Sequence, residues 1–458
     1  MKTIICGAGD VGYSIADKLS KDGFEITVVD DSDDKLKKIS ENLDVKVIFG
    51  SPSLPSTLEV AGAKDCEILI AVTKSDEVNM ICCQIGYSLF KIPKRIARIR
   101  QQDYLKAEWQ TLYASKHLPI DAIISPELEV AKALYRRIKS PGTIDMLELA
   151  GNKLKLVGLK CEDNCKVLGK SLRDLSEEFK DYLANILFVF RGEEKFIVNS
   201  NTKLEKNDLI YIVLDSNNFA EVVKEFGHDE VQAQKIVIIG GGNIGFSLSL
   251  SIEENESKIA TSIIEFNKKR SEFLAKNLKS SNVTNGDGLD SSILEEVDIS
   301  AADYFIAVTD DDEVNILSSL LAKRAGAEHC MTLINNGSYS SLLNNIGIDI
   351  TIDPKLITIS KILEKVRGGL VRNDYTIAEG FGEVIEAEIL PNSLLNNKNI
   401  NQVGLPKSIR IGAILRNENI IIPNSETLFR EGDDVVFFSE TKSIKHLEKL
   451  LSDNQIYG

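Results

Sequence analysis

A glycine-rich turn occurs twice in this sequence, each time between an apolar run and a stretch with helical periodicity. The copies are GAGDVG at residues 7–12 and GGGNIG at residues 240–245. In such a turn the first glycine permits the bend and the second lets backbone approach a pyrophosphate. The third (Gly12, Gly245) lets helix pack on strand. The pattern is typical of a dinucleotide-binding βαβ unit, so the chain is expected to contain two such units.

Two further landmarks repeat in the same order. AVTKSDEVN at residues 71–79 returns as AVTDDDEVN at 307–315, and IISPELEVAKAL at 123–134 has a counterpart in TIDPKLITISKIL at 351–363. The spacing between copies drifts by only a few residues, which indicates an internal duplication.

The pattern within each copy predicts the fold class. Short, continuous apolar runs such as EITVVD (25–30) alternate with helix-periodic stretches, as in α/β proteins whose parallel sheet is covered on both faces. We therefore predict two tandem Rossmann-like doubly wound parallel sheets, each followed by a small β-rich subdomain. The predicted boundaries are 1–140 and 234–367 for the Rossmann-like domains, and 141–226 and 368–458 for the β-rich subdomains.

The two β-rich subdomains also align with each other. Residues 187–213 match residues 413–438, with Arg191 opposite Arg416 and Asp208 opposite Asp433. The two aspartates fall where a hairpin turn is expected.

The composition of the chain disfavours several classes of function. A formal charge of −15 disfavours a nucleic-acid partner, and no apolar run reaches the roughly 18 residues of a membrane-spanning helix. Seven scattered cysteines suit reduced thiols in the cytosol. Cys161 and Cys165 have metal-like spacing but no second ligand pair, so no metal site is predicted.

An acidic residue ends the second strand of each unit. Asp30 and Glu265 follow the last glycine of their turns by 18 and 20 residues. A carboxylate there accepts hydrogen bonds from ribose hydroxyls and repels a 2′-phosphate, so NAD(H) is favoured over NADP(H).

Residues at the ends of the fourth and fifth strands sharpen the predicted sites. Thr73 and Thr309 are ligand candidates, whereas Asp76 and Asp312 are expected mainly to cap the helices that follow. Arg98 or Arg100 could reach a phosphate. The second unit has Leu333 or Asn335 there, and it has Asp310 and Asp311 in place of Lys74 and Ser75. Its site should therefore bind anions more weakly.

These motifs resemble the TrkA family, cytosolic NAD-binding regulators of potassium uptake built from two tandem RCK (KTN) domains. The matching pieces are GAGDVG, Asp30, PSTLEVAG (55–62), AVTKSDEVN, ARI (97–99) and their repeats, over essentially the whole chain. The resemblance implies that the sites are lined by Gly7, Ala8, Gly9, Asp10, Val11, Asp30, Thr73, Lys74 and Arg98 in the first half, and by Gly240, Gly241, Gly242, Asn243, Ile244, Glu265 and Thr309 in the second.

The sequence departs from the family pattern at one further position. The family usually has an aspartate after the glycine that ends the third strand. Asp287 keeps it in the second half, whereas Ser51 replaces it in the first. Both residues are counted as candidate ligand contacts.

The resemblance also implies a function. The expected protein is a nucleotide-controlled gating ring, a homo-oligomer (dimer or tetramer), attached to a TrkH-like potassium-transporter subunit. It would lie in the cytoplasm, peripheral on the inner face of the membrane. Its expected ligands are NAD(H) and ATP/ADP, without catalysis.

The alternative is an NAD-dependent dehydrogenase or reductase. That function needs a proton-transfer residue beside the nicotinamide. His117, His228, His329 and His446 fall at helix ends or linkers, and no convincing catalytic constellation accompanies them. The sequence therefore favours a sensor.

Overall fold

The computed structural model describes residues 1–113, 117–179, 181–192, 194–228, 233–339, 343, 348–367, 371–377 and 381–451. The chain forms two compact units. The first combines residues 1–135 with 233–366, and the second combines residues 136–232 with 367–458. Each unit therefore joins equivalent pieces of the two sequence repeats.

Strands and helices are numbered in chain order. The first half contains β1 (Lys2–Cys6), α1 (Asp10–Lys21), β2 (Glu25–Asp30), α2 (Asp33–Asn42), β3 (Lys46–Phe49), α3 (Pro55–Val60), β4 (Ile68–Ala71), α4 (Asp76–Ser88), β5 (Lys94–Arg98), β6 (Ala122–Ile124), α5 (Pro126–Ile138), β7 (Asp145–Leu149), β8 (Leu154–Lys160), α6 (Leu172–Glu178), β9 (Ala184–Arg191), β10 (Glu194–Ile197), β11 (Leu209–Asp215) and α7 (Phe219–Glu225).

The second half repeats this order. It contains β12 (Lys235–Ile239), α8 (Asn243–Asn255), β13 (Ala260–Glu265), α9 (Lys268–Asn277), β14 (Asn282–Asn285), α10 (Ser291–Glu296), β15 (Tyr304–Ala307), α11 (Asp312–Arg324), β16 (His329–Leu333), β17 (Ile350–Ile352), α12 (Pro354–Arg367), β18 (Val371–Ile377), β19 (Gly382–Glu388), α13 (Ile400–Val403), β20 (Ile409–Arg416), β21 (Asn419–Ile421), β22 (Asp434–Glu440) and α14 (Ile444–Leu451).

The first unit holds two six-stranded parallel sheets. Their orders are β3-β2-β1-β4-β5-β6 and β14-β13-β12-β15-β16-β17, the doubly wound order of a Rossmann fold. Ile5 on β1 lies between Val28 and Ile70, and Ile238 on β12 lies between Ile263 and Ile306. The central strands are apolar along their length because helices cover both faces. The predicted fold class is confirmed.

One helix of the second Rossmann-like half packs into the first half. Ile359, Ile362, Leu363 and Val366 on α12 are buried in the core of the first half, with Ile5 among their neighbours. A helix encoded at the end of the second repeat therefore completes the first repeat's core. Burying four such side chains contributes several kcal/mol, at about 1.5–3 kcal/mol each.

The second unit holds two five-stranded antiparallel sheets, β10-β9-β11-β8-β7 and β18-β19-β22-β20-β21. They share an apolar cluster in which the ring of Phe188 stacks on Phe438, with centroids 4.2 Å apart. Asn185 adds polar contacts by donating to the carbonyl oxygens of Ile411 (3.0 Å) and Gly412 (2.9 Å). The two β-rich subdomains thus pack directly on each other.

Each of these sheets is pinned by a buried ion pair that the sequence alignment did not identify as one. Asp208 accepts two hydrogen bonds from Arg191, at 2.8 and 2.7 Å. Asp433 accepts two from Arg416, both at 2.7 Å. The carboxylates of Asp208 and Asp433 are almost fully buried. The aligned residues are therefore structural in both copies.

A half-buried carboxylate, Glu253 on α8, should make stability depend on pH. Desolvation raises its pKa, but backbone N–H groups of Lys279, Ser280 and Ser281 and the Ser281 hydroxyl outweigh that, so the pKa falls to about 2. The stabilisation is present above the ordinary glutamate pKa of about 4.3. It is lost as pH drops through about 2.

We expect Glu253→Gln to lower the free energy of unfolding near neutral pH by about 1–2 kcal/mol, after allowance for solvent screening. Urea titrations at pH 7 and pH 3 would measure the effect. The difference between variant and parent should be smaller at pH 3. Glu254→Gln, on the exposed side of the same helix, serves as the control. An identical difference at both pH values would contradict the assignment.

Candidate functional site

Both glycine turns open into one cleft of about 1330 Å³ within the first unit. It lies at the carboxyl ends of the parallel strands, where ligands bind in open α/β sheets. The predicted site residues that line it are Gly7, Gly9, Asp10, Val11, Asp30, Ser51, Thr73, Lys74, Arg98, Gly240, Gly242, Asn243, Ile244, Glu265, Asp287 and Thr309. Sequence reasoning treated these as two sites, whereas the structure joins them.

The first glycine turn leaves space for a ligand at one glycine only. Gly7 adopts a φ of 116°, which favours glycine. A Cβ on Gly12 would lie 1.8 Å from the carbonyl oxygen of Gly7, whereas a Cβ on Gly9 would meet no atom within 4 Å. Gly7 and Gly12 are thus required by the turn itself, and Gly9 exposes bare backbone to the cleft at the start of α1. Such a helix start favours phosphate.

The second turn has the same construction. Gly240 has a φ of 98°. A Cβ on Gly245 would lie 2.0 Å from the carbonyl oxygen of Gly240, and one on Gly242 would meet nothing within 4 Å. Four predicted residues, Ala8, Gly12, Gly241 and Gly245, lie behind the cleft wall and not on it.

The strand-tip carboxylates hold their turns in place. Asp30 accepts hydrogen bonds from the backbone N–H of Ala8 at 2.7 Å and of Ser32 at 2.9 Å. Glu265 accepts from Gly241 and Asn267, both at 2.7 Å. A carboxylate offers about four lone-pair positions. Each can therefore support its turn and still accept a ribose hydroxyl from the cleft.

A buried asparagine that the sequence analysis missed organises the end of β4. Asn79 accepts from the backbone N–H of Thr73 (2.9 Å) and its hydroxyl (2.7 Å), and it donates to the carbonyl oxygen of Arg98 (2.8 Å). Arg98 in turn donates to the carbonyl oxygen of Thr73 at 3.0 Å. This network fixes the loops after β4 and β5 at the cleft edge.

The second half keeps the asparagine but not the arginine. Asn315 accepts from the backbone N–H (2.9 Å) and the hydroxyl (2.7 Å) of Thr309, and donates to the carbonyl oxygen of Leu333 at 3.0 Å. The repetition of Asn79 and Asn315 in the AVT blocks was the available signal for this role.

The expected capping role of Asp76 and Asp312 is wrong. Helix α4 is capped by Ser75, which accepts from Val78, and α11 is capped by Asp311. Asp76 instead accepts from the backbone N–H groups of Arg100 (2.9 Å) and Gln101 (2.8 Å).

Asp312 likewise accepts from the N–H groups of Asn335 and Asn336, both at 2.8 Å. Both aspartates reach across to the loop after the neighbouring strand. The carboxylates of Asp76 and Asp312 are themselves buried, and each thereby pairs with two part-buried backbone N–H groups.

Charge is distributed unequally along the cleft. Near the first turn the cleft has five basic side chains (Lys35, Lys74, Arg98, Arg100 and Lys355) and four carboxylates (Asp10, Asp30, Asp31 and Glu127). Near the second turn it has four carboxylates (Glu265, Asp287, Asp310 and Asp311) and one basic side chain, Arg270. Phosphate charge should therefore be held better at the first turn.

Arg270 supplies the second turn with a cation that sequence reasoning missed. Its Nε donates to the carbonyl oxygen of Gly241 at 2.6 Å, and its guanidinium lies over the ring of Phe273. Among the described residues, its Nη2 has no hydrogen-bond partner, and the same is true of Nε of Arg98. Burial lowers the pKa of both groups. Each half of the cleft thus has a poorly solvated guanidinium in its wall.

Ser51 and Asp287 occupy equivalent wall positions with different local bonds. The hydroxyl of Ser51 shares a hydrogen bond with Ser53 at 2.9 Å, and Asp287 accepts from the backbone N–H of Leu289 at 2.9 Å. The substitution removes one negative charge from the first half of the cleft.

In the ranges that the structure describes, no group of three or more His, Cys, Asp or Glu side chains is placed to hold a metal ion. Nor does any helix of those ranges have the length and apolar character to cross a bilayer. Cys161 and Cys165 are free thiols buried in a β-rich subdomain.

The chain has two Rossmann-like halves that line one cleft, and an antiparallel subdomain follows each half. These features define a class of tandem dinucleotide-fold proteins. This chain belongs to the TrkA family: the TrkA-N domain matches residues 3–126 and 236–354, and the TrkA-C domain matches residues 156–227 and 384–452.

Similar proteins agree with this assignment. The Trk system potassium uptake protein TrkA of Azorhizobium caulinodans is 38% identical over 450 residues, covering 98% of each chain. The GsuK RCK domain has a TM-score of 0.61 at 18% identity, covering 98% of this chain and 94% of that one. The GsuK channel bound to NAD has a TM-score of 0.63 at 18% identity, covering 98% and 78%. The structural likenesses show a shared fold.

Proposed function

We propose that this chain is a cytosolic nucleotide-sensing subunit that binds NAD(H), and also ATP or ADP, and regulates a membrane potassium transporter. The observation that carries the proposal is the single cleft into which two glycine turns open, each supported by a strand-tip carboxylate. The transport role rests on the family, because the matched relative is named a Trk system potassium uptake protein.

The first turn has the chemistry to hold a dinucleotide. Gly9 leaves the backbone N–H groups at the start of α1 open to a pyrophosphate, and Arg98 lines the same cleft. Asp30 stands at the strand tip, where a ribose would lie. The residues proposed to contact ligand are the predicted residues that line the cleft.

The cleft suits binding more than turnover. Over the residues that the structure describes, its wall has no His, Cys or Tyr side chain. His is the commonest group for proton transfer in enzymes, although Asp, Glu and Lys, which the wall does carry, can also serve. Membership in a transport-system family agrees with a protein that is not an enzyme.

Regulation follows if a nucleotide binds one arrangement of the protein better than another. A coupling free energy of about 1–3 kcal/mol would change transport by about 5- to 150-fold. The partner is a TrkH-like membrane subunit, and the protein lies against the inner face of the membrane. Two equivalent halves suit a symmetric homo-oligomer, a dimer or tetramer that forms a gating ring.

The proposal is tested with the full chain and a Trk-type membrane subunit. We expect NADH to bind with enhanced fluorescence and without consumption. The protein should co-purify with the membrane subunit, and ATP or NADH should change transport by about fivefold or more. The matched control is the same chain without nucleotide.

Steady oxidation of NADH at about one molecule per second, within the usual enzyme range, would instead favour a dehydrogenase. Binding of nucleotide with no effect on transport and no association would also reject the regulatory role.

A further inference from the structure

The first half of the cleft contains a cation supplied by the second half. Lys355, at the start of α12, lines the cleft and its Nζ lies 2.8 Å from the carboxylate of Asp10. The backbone N–H of Lys355 donates to Asp353 at 2.7 Å, which fixes the start of the helix. The buried side chains further along α12 anchor the helix in the first half's core. Lys355 is therefore held at the first glycine turn by a rigid element.

Asp10 explains why a cation is needed there. It is the first residue of α1, directly after Gly9, so its carboxylate stands where a phosphate would approach the turn. Two like charges there would repel each other. The hydrogen bond from Lys355, and then its charge, lowers the pKa of the Asp10 carboxyl. The second turn has Asn243 at the equivalent position and carries no such charge.

The first half has no lysine at the position equivalent to Lys355. The residue equivalent to Lys355 is Glu127, since each follows the proline that begins its helix. Glu127 is paired with Arg100 at 2.8 Å. The lysine therefore acts at the first turn, and the mirror position brings a carboxylate into the cleft.

We infer that Lys355 is a ligand-binding residue of the first nucleotide site, where it leaves Asp10 for the ligand's phosphate and favours nucleoside triphosphates over dinucleotides. The inference rests on the proposed nucleotide binding. A triphosphate carries more charge than the pyrophosphate of NADH, so an added ammonium group favours it more. Because Lys355 belongs to the second repeat, ligand choice at the first turn depends on the second repeat.

The test compares ATP and NADH binding to the full chain. We expect Lys355→Gln to weaken ATP binding about tenfold, the effect of one charge-assisted hydrogen bond, and NADH binding by about threefold or less. Lys365→Gln, which removes a lysine of α12 that does not line the cleft, should change neither. The Asp10–Lys355 pair is partly exposed, so the variant should fold, as a thermal melt would verify.

A second variant tests whether Lys355 binds the phosphate or only neutralises Asp10. Asp10→Asn should tighten ATP binding about threefold or more in the parent chain, and Lys355→Gln should still weaken ATP binding in the Asp10→Asn background, because a lysine that binds the phosphate acts whether or not Asp10 is charged. An unchanged ATP-to-NADH affinity ratio in Lys355→Gln would overturn the inference, and so would a Lys355→Gln substitution without effect in the Asp10→Asn background. If the parent chain binds neither nucleotide, it is the proposed function that fails.

Discussion

Replacing Gly9 by leucine is expected to abolish dinucleotide binding at the first turn without unfolding the protein. Gly9 has a φ of −71°, which any residue adopts, and a Cβ there meets no atom within 4 Å. The added side chain would fill the space in front of the N–H groups at the start of α1. We expect affinity for NADH to fall at least about 100-fold, measured by fluorescence titration or calorimetry.

Two substitutions provide the comparison. Gly242→Leu makes the same change at the second turn, where we expect a smaller effect on total binding because that half of the cleft is acidic. Gly12→Leu should fail to fold, since its Cβ would lie 1.8 Å from the carbonyl oxygen of Gly7. A folded Gly9→Leu variant that binds NADH as the parent does would show that the ligand lies elsewhere.

The second large effect is expected from Asp208→Asn in the first β-rich subdomain. Asp208 is fully buried and accepts from Arg191 at two atoms and from the backbone N–H of Glu205. An amide cannot accept at both positions, so one guanidinium N–H loses its partner. We expect the free energy of unfolding to drop by about 2–4 kcal/mol, because Arg191 itself is partly solvated. Urea unfolding followed by circular dichroism would measure it.

The chain offers matched controls for this change. Asp433→Asn removes the equivalent carboxylate from the second β-rich subdomain and should cost a similar amount. Asp163→Asn breaks an exposed pair with Lys206 in the same subdomain as Asp208 and should cost less than about 1 kcal/mol. Equal losses for Asp163→Asn and Asp208→Asn would mean that burial of the pair contributes nothing.

Local features of the fold could be predicted because they leave a signal in a few neighbouring residues. The two glycine turns require glycine for steric reasons that hold in any context, as the positive φ of Gly7 and Gly240 shows. The central strands read as continuous apolar runs since helices cover both faces of each sheet. β14 was harder to recognise: an edge strand tolerates polar residues, and its sequence is NVTN where the equivalent edge strand β3 has KVIF.

Features that depend on distant partners could not be predicted. Nothing in the sequence of α12 says that its apolar face packs against the first repeat. Asp76 lies in the first turn of α4, where acidic residues are common, and only the proximity of the loop at Arg100 reveals its actual bonds. Arg270 lies on a helix face that would normally be solvated, and its place on the cleft wall follows from the packing of α9 beside Gly241.

The packing of α12 in the core of the first half has a consequence for how the molecule assembles. Cutting the chain between its repeats would leave the core around Ile5 without the side chains of Ile359 and Ile362. A single repeat could complete this core only with the equivalent helix of a second molecule, and its folding would then depend on concentration. Because the two repeats are fused, the helix packs within one molecule, and this contact does not depend on dilution. One gene product thereby behaves as a dimer that cannot dissociate, whose two members are free to diverge.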